Sequence, residues 1–246
     1  MKKIFKISVT FILFFFSTAW AENTDLPTVT IENQIREFIL KNPEIILESL
    51  KRYEEKITFD AKKVEKEFLR NKSNLYNQND LDYIAGNPDG QITIIEFLDY
   101  RCGYCKKVHS ELQKILTDNP EVKFIVKEFP ILGNESLMAS KASIAVLINY
   151  GESIYKIFTS KLFEYSGTIN QTSIASLIES SGGDWLDIQL TMESQKVMSV
   201  LNSNFLLANK LKITGTPTFI IGTEIIRGYK DIETLQEIIN TEKQAI

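Results

Sequence analysis

The chain contains two cysteines, and they lie together as Cys102-Gly103-Tyr104-Cys105. The residues before them, Ile92 to Leu98, form an apolar run that predicts a buried strand, and apolar residues recur at helical spacing after them. Amide groups at a helix N-terminus stabilise a thiolate, and a second thiol one turn later can attack what the first has bound. The pair therefore predicts thiol–disulfide exchange, with Cys102 as the exposed nucleophile and Cys105 as the resolving thiol.

The start of the chain has the features of a secretory leader. Lys2 and Lys3 precede an apolar run that extends to Phe16, and Ala19-Trp20-Ala21 matches the small-x-small pattern that signal peptidase accepts. We therefore expect residues 1–21 to be a signal peptide that is cleaved after Ala21 and directs the protein to the periplasm. An uncleaved membrane anchor is the alternative, although the apolar stretch is shorter than a usual membrane span.

The composition limits the kinds of partner and of stabilisation. The net charge is −4, and loss of the lysine-containing leader makes it more negative, which argues against nucleic acid as a partner. Because both thiols belong to one motif, no structural disulfide is available, and the fold must depend on a packed core. A hydrophobic content of 43% is sufficient for such a core.

Two helices are predicted before residue 80, the first from Thr30 to Asn42 and the second from Pro43 onward. The second carries many charges and a narrow apolar stripe with a spacing close to 3.5 residues. The stripe consists of Ile46, Leu50, Tyr53, Ile57, Val64 and Phe68. It predicts an oligomerisation stalk over residues 30–70, forming a dimer or a trimer, whereas the alternative is a helix that folds back on the rest of the chain.

A polar segment from Asn71 to Asp80 predicts a joint, which divides the chain into residues 1–21, 22–80 and 81–246. The last part predicts an α/β domain: a strand, the dithiol helix, a second strand at Val122–Phe129, several helices over about 134–212, two short strands and a final helix. Glycines divide the helical region into shorter helices: Gly151, Gly167, Gly182 and Gly183.

This order of elements resembles the thioredoxin fold with a helical insertion, as in the DsbA-like bacterial disulfide oxidoreductases. Gly215-Thr216-Pro217 matches the cis-proline loop that lies against the active site in that fold. The resemblance implies that backbone groups at Thr216 and Pro217, together with Gly103 and Tyr104, bind an extended segment of the substrate. It implies no cofactor beyond the Cys102–Cys105 disulfide. A zinc site is not expected either, because Cys102, Cys105 and His109 lie on one helix, which a tetrahedral site would distort.

The same resemblance gives a role to Glu96, which lies six residues before Cys102, where thioredoxin-like enzymes carry a buried acid. Its position as a polar residue inside an apolar strand agrees with that placement. A carboxylate there can accept and return the proton of Cys105. The alternative is an edge-strand carboxylate that faces water, since acids are seldom buried.

Within the group, the Gly-Tyr pair between the cysteines and the threonine before the proline are similar to the disulfide isomerase DsbC. Three segments are similar to the suppressor-of-copper-sensitivity protein C (ScsC) group, whose members carry an N-terminal helical oligomerisation region. These segments are Asn42-Pro43-Glu44, Lys127 to Gly133 and Ile213 to Pro217. The similarity implies disulfide isomerase activity in an oligomer.

Three functions remain open from the sequence. An isomerase would act on misoxidised exported proteins and be kept reduced by a DsbD-like membrane reductase, whereas a dithiol oxidase would be reoxidised by a DsbB-like membrane oxidase. A nearly neutral pKa of Cys102 favours isomerisation, and a strongly lowered pKa favours oxidation. The third function is an oligomeric protein whose dithiol captures soft metals such as copper(I).

Three further side chains near the dithiol have two interpretations each. His109 lies four residues after Cys105 on the same helical face, and it is either an ordinary packed or solvated residue or a group that tunes the site. Tyr100 and Tyr104 flank the cysteines, and their rings either pack into the protein or offer an apolar contact to unfolded substrate.

Overall fold

The computed structural model describes residues 28–75 and 81–245, so the predicted signal peptide lies outside the described residues. The chain divides into two compact units, Met1–Ile57 and Thr58–Ile246. The helices are α1 (Thr28–Lys41), α2 (Glu44–Arg70), α3 (Gly103–Asp118), α4 (Asn134–Glu164), α5 (Gln171–Ser180), α6 (Trp185–Met192), α7 (Gln195–Lys210) and α8 (Ile232–Ala245), with a short 3₁₀ helix at Lys72–Leu75. Over these described ranges, no helix combines the length and apolar character needed to span a membrane.

A five-stranded sheet organises the second unit. Its strands are β1 (Tyr83–Gly86), β2 (Ile92–Leu98), β3 (Val122–Glu128), β4 (Thr218–Ile221) and β5 (Glu224–Arg227), in the order β1-β3-β2-β4-β5. Strands β2 and β3 are parallel and the other neighbours are antiparallel. The central strand is β2, all of whose residues are buried. The sequence did not predict β1, because four residues at a sheet edge give too short a pattern to recognise.

The two faces of the sheet contact separate hydrophobic cores. Because side chains alternate along a strand, Ile94 and Leu98 of β2 lie in the larger core with α3 to α8, whereas Ile95 and Phe97 lie in the smaller one. The helical insertion between β3 and β4 consists of α4 to α7, as the sequence predicts. Gly151 adopts φ 74° and ψ −173° and breaks the helical geometry inside α4.

The last turns of α2 belong to the smaller core. Leu69 is 1% exposed there, and Leu75 of the following 3₁₀ helix is also buried. Arg227 of β5 approaches Glu65 of α2 at 3.8 Å. The boundary between the two units therefore falls within α2, after Ile57, whereas the sequence predicts a joint at residues 71–80.

The helices of the first unit expose a row of large apolar side chains. Ile31, Ile35, Phe38, Ile46, Leu47, Leu50, Tyr53 and Ile57 are all exposed. Exposed apolar side chains that recur along one helix are typical of a surface that binds another chain.

Leu69 is expected to contribute to the stability of the second unit. Leu69→Ala should lower the free energy of unfolding by about 2–5 kcal/mol, because it removes a fully buried side chain and leaves a cavity. Urea denaturation followed by circular dichroism would measure the change. The control is Leu190→Ala in α6, where the side chain is 80% exposed and the expected change is below about 0.5 kcal/mol. Equal effects of the two substitutions would contradict the packing of α2 described above.

Candidate active site

The dithiol lies at the N-terminal end of α3, directly beyond the central strand. Cys102 is the N-cap residue, with φ −75° and ψ 114°, and its Sγ lies 3.2 Å from the carbonyl oxygen of Thr216, to which it donates only when it is a protonated thiol. Both cysteines are free thiols. Cys102 is only 8% exposed, so the predicted exposed nucleophile is in fact largely covered, and Cys105 is buried below it.

The two thiols have opposite pKa shifts. The pKa of Cys102 is lowered to about 5, chiefly because the Cys105 thiol donates to its thiolate, with further donation from the backbone amides of Tyr104 and Cys105. Burial opposes this shift. The pKa of Cys105 is strongly raised by its hydrogen bond to Cys102, by burial and by the charge of Glu96. At neutral pH the pair is therefore a thiolate at Cys102 and a neutral thiol at Cys105.

Asp99 fixes the loop between β2 and the dithiol. Its carboxylate is fully buried and accepts four hydrogen bonds. The donors are the backbone amides of Arg101, Ile131 and Leu132 and the hydroxyl of Ser136, at 2.7–3.0 Å. Three of the four donors follow β3, so this carboxylate connects the two loops at the same end of the sheet. The sequence did not identify Asp99, because three of its four partners lie 32 to 37 residues further along the chain.

The cis-proline loop lies next to the dithiol, although the two are 114 residues apart in sequence. The Thr216-Pro217 peptide bond is cis. The Thr218 hydroxyl donates to the Gly215 carbonyl at 2.8 Å, and the backbone amide of Gly228 donates to the Pro217 carbonyl at 3.0 Å. The structure therefore brings together Cys102, Thr216 and Pro217, which the sequence assigns to one site.

Glu96 lies in the middle of the central strand and is 3% exposed. Its register neighbours are Val126 on β3 and Phe219 on β4, both apolar. Within the described part of the chain, its Oε1 atom has no hydrogen-bond partner. The alternative of a water-facing carboxylate on an edge strand is therefore wrong, because β2 has a neighbouring strand on each side.

The surroundings of Glu96 favour its neutral form. Its pKa is raised to about 8, mainly by burial and additionally by the negative charges of Cys102 and Glu128. Glu96 also raises the pKa of Cys105 through its charge, so the two groups are electrostatically coupled. A carboxyl group with a pKa close to neutral pH is suited to exchanging protons with a nearby thiol.

The tyrosines beside the dithiol have different roles. Tyr100 is completely buried and donates its hydroxyl to Glu128 at 2.7 Å, so the interpretation in which Tyr100 contacts substrate is wrong. Tyr104 is 61% exposed, and its ring stacks on that of Tyr229 at a centroid distance of 5.6 Å. We call Tyr104 and Tyr229 the aromatic patch.

Tyr229 is a site residue that the sequence did not reveal. It follows Gly228, whose amide is bonded to the cis-proline loop, and the Lys107 ammonium lies 4.4 Å from the centre of its ring. Gly103 lies between Cys102 and the aromatic patch. Apart from its chain neighbours and the backbone of its own helix, no atom of the described residues lies within 4 Å of the position that a Cβ would occupy there. The surface beside Cys102 therefore combines an open backbone with two tyrosine rings.

Histidine, cysteine and carboxylate side chains within the described ranges, 28–75 and 81–245, are the candidate ligands for a metal ion. No group of three or more histidine, cysteine, aspartate or glutamate side chains within these ranges is arranged to hold a metal ion. The Nε2 atom of His109 lies instead 3.2 Å from the Ser160 hydroxyl, and its ring stacks on Phe163.

Comparisons with known proteins agree with this geometry. A family model described as thioredoxin matches residues 78–241, which is more than half of the chain. Disulfide bond formation protein D of Bacillus subtilis is 26% identical over 169 residues, covering 65% of this chain and 76% of that protein. The crystal structure of the thiol-disulfide exchange protein alpha-DsbA2 from Wolbachia pipientis has a TM-score of 0.66 at 27% identity, covering 73% of this chain and 96% of that one.

A further similar structure extends to the N-terminal helices. A linker-deletion mutant of Proteus mirabilis ScsC has a TM-score of 0.66 at 23% identity and covers 92% of this chain and 99% of that one. At this identity the likeness concerns the fold alone. The predicted α/β architecture, a thioredoxin fold with a helical insertion and a helical region before it, is confirmed. The chain therefore belongs to the thioredoxin family, and within it to the DsbA-like thiol-disulfide oxidoreductases.

Proposed function

We propose that this chain is a periplasmic protein disulfide isomerase that acts on misoxidised exported proteins through Cys102 and Cys105. The observation that carries the exchange chemistry is the contrast between a stabilised thiolate at Cys102 and a protonated thiol at Cys105. The leader-like residues 1–21 support export. The Gly-Tyr pair of the dithiol and the helices before the sheet support assignment to an ScsC-like isomerase.

The reaction begins when the Cys102 thiolate attacks one sulfur of a substrate disulfide. The substrate S–S bond breaks, a mixed disulfide forms, and the other substrate sulfur leaves as a thiolate. In isomerisation, a substrate thiolate later attacks the mixed disulfide, which forms a new substrate disulfide and restores the Cys102 thiolate without net transfer of electrons. No cofactor takes part.

Cys105 provides a second route for resolving the mixed disulfide. Its thiol gives a proton to the Glu96 carboxylate, and the resulting thiolate attacks Cys102. The substrate leaves with two reduced sulfurs, and a Cys102–Cys105 disulfide remains. A membrane reductase of the DsbD type would return the dithiol to its reduced form.

Substrate recognition is proposed to combine backbone pairing with apolar contact. An extended segment can pair with the backbone at Thr216, beside the carbonyl that contacts Cys102. The aromatic patch adds a contact for apolar side chains that precede or follow the substrate cysteine. Such contacts depend little on sequence and suit a protein that acts on many unfolded chains.

Oligomerisation is proposed to occur through residues 30–70, forming a dimer or trimer. The exposed apolar side chains of α1 and of α2 up to Ile57 support this assignment. Several dithiols on one oligomer would hold a misfolded chain during repeated exchange.

A dithiol oxidase is the second candidate, and the pKa of Cys102 favours it. A pKa lowered to about 5 stabilises the reduced form and makes the disulfide form more oxidising. In that function a DsbB-like membrane oxidase would regenerate the disulfide.

Leu50 tests the link between oligomerisation and isomerisation. Leu50→Glu should reduce the oligomer to monomers in light scattering and lower reactivation of scrambled ribonuclease severalfold, because it places a charge in the apolar row. Lys51→Glu, one position away on the charged face, is the matched control. This variant should keep the mass of the oligomer and its reactivation of scrambled ribonuclease. Monomers that retain full reactivation would argue against an oligomeric isomerase. Rapid oxidation of reduced ribonuclease with no reactivation of the scrambled form would favour the oxidase.

Glu96 is tested by separating the two steps of exchange. Glu96→Gln keeps the shape of the side chain but cannot accept a proton. We expect attack by Cys105 on the mixed disulfide to slow by roughly a hundredfold or more, with its formation nearly unchanged. Rapid-quench trapping of the mixed disulfide would measure both rates. Equal slowing of the two steps would refute the role of Glu96 as the base for Cys105.

Cys105 is expected to control the acidity of Cys102. Cys105→Ala removes the main hydrogen-bond donor, so the pKa of Cys102 should rise from about 5 toward the ordinary value of about 8.5. Cys105→Ser retains a donor and should give a smaller rise. Absorbance of the thiolate at ultraviolet wavelengths across a pH series would measure both. An unchanged pKa in the alanine variant would show that the amides of α3 alone stabilise the thiolate.

A further inference from the structure

A small cavity lies beside the buried acid of the active site. Its volume is about 30 Å³, which accommodates a water molecule. It is bounded by β1, β2, β3, α3 and α4. The polar side chains in its wall include Glu96, Tyr100, His109, Tyr155, Lys156 and Thr159.

Most of these side chains are already committed to other partners. Tyr100 and Tyr155 both donate to Oε1 of Glu128, at 2.7 and 2.9 Å, and the Thr159 hydroxyl donates to the Tyr155 carbonyl at 2.9 Å. Glu96 differs, because its Oε1 is buried and has no partner among the described residues. The wall also contains apolar side chains such as Leu98, Leu112 and Val126, and the carboxyl group of Glu96 lies in it. A buried carboxyl group in the wall of a water-sized cavity that has further polar groups is a position where an ordered water is expected.

His109 lines the same cavity and is suited to receive a proton. Its Nε2 is paired with Ser160 and its ring stacks on Phe163 at 4.5 Å, so the imidazole is held in place. Burial lowers the pKa of His109, with Lys156 acting in the same direction and Glu164 in the opposite one, so the ring is neutral at neutral pH. A neutral imidazole carries one donor and one acceptor nitrogen.

The catalytic cycle requires such a route. With Cys102 as a thiolate, its charge helps to keep Glu96 protonated, and a protonated Glu96 cannot accept the proton of Cys105. When Cys102 enters the mixed disulfide, that charge disappears and Glu96 ionises more readily. Its proton must then leave a site that is closed by apolar neighbours on both adjacent strands.

We propose that a water molecule in this cavity joins the carboxyl group of Glu96 to the imidazole of His109, and that the proton of Glu96 passes through this link to solvent. The carboxylate that remains then takes the proton of Cys105, so one proton leaves through His109 for each Cys105 thiolate formed. The inference rests on the proposed exchange reaction and names His109 as a positioning residue for it.

The chain contains one histidine, so its ring gives the only histidine signals in a nuclear magnetic resonance spectrum. In the reduced protein, the His109 ring should show its own titration and a second step near pH 8, where Glu96 titrates. The second step should be absent in Glu96→Gln. If the unmodified protein lacks the second step, the link between Glu96 and His109 is wrong. The link is also wrong if the step persists in Glu96→Gln, because it would then report the titration of Glu128 or Cys102.

Kinetics of mixed-disulfide resolution provide the second readout. His109→Phe keeps a ring against Phe163 but removes both nitrogens, and it should slow resolution about tenfold while leaving mixed-disulfide formation unchanged. In the Glu96→Gln background the same change should add no further slowing, because the first member of the link is already lost. Lys156→Met removes the other basic group of the cavity wall, and this variant should resolve the mixed disulfide at the rate of the unmodified protein. If Lys156→Met slows resolution of the mixed disulfide and His109→Phe does not, the assignment of the proton route to His109 is wrong.

The two experiments separate this inference from the proposed function. The resonance titration needs no substrate and no turnover, so coupling between His109 and Glu96 is measurable whether the chain is an isomerase or an oxidase. If His109→Phe shows normal exchange kinetics, the proton route through His109 is wrong and the proposed function is unaffected. Absence of disulfide exchange by the unmodified protein would remove the function itself.

Discussion

The active site depends on the hydrogen bonds that stabilise the thiolate of Cys102. These bonds require Cys102 to be the N-cap of α3, so that the amides of the first turn and the thiol of Cys105 point toward its sulfur. Asp99 maintains this arrangement, because three of its four hydrogen bonds join the loop before the dithiol to the segment after β3. A local helix start therefore acquires its reactivity from a contact between distant segments.

Two buried carboxyl groups on neighbouring strands illustrate how hydrogen bonding determines the consequence of burial. Glu128 accepts hydrogen bonds from Tyr100, Tyr155 and Ser140, and its pKa is raised to about 7. Glu96 has one oxygen without a partner among the residues that the structure describes, and its pKa is raised to about 8. The hydrogen-bond donors around Glu128 stabilise its carboxylate and so offset part of the hydration that burial removes. Glu96 lacks this compensation, which leaves it able to gain and lose a proton near neutral pH.

Helix α2 contributes to two environments along its length. Up to Ile57 its apolar side chains are exposed, whereas Leu69 near its end is buried in the smaller core of the second unit. The heptad-like spacing continues through both parts, so the pattern does not distinguish the apolar residues that meet the sheet from those that remain exposed. That distinction depends on which part of the helix lies over the sheet.

The sequence by itself determined the features that are encoded locally: the dithiol at a helix start, the strands on either side of that helix, the helical insertion and the Thr216-Pro217 loop. Proximity of Glu96 to the dithiol followed from strand alternation together with a family resemblance. The tertiary structure decided the rest: the burial of Tyr100, the hydrogen bonds of Asp99, the stacking of Tyr229 on Tyr104 and the cavity shared by Glu96 and His109. Each of these depends on contacts between segments far apart in the chain, and residue periodicity carries no information about which distant segments meet.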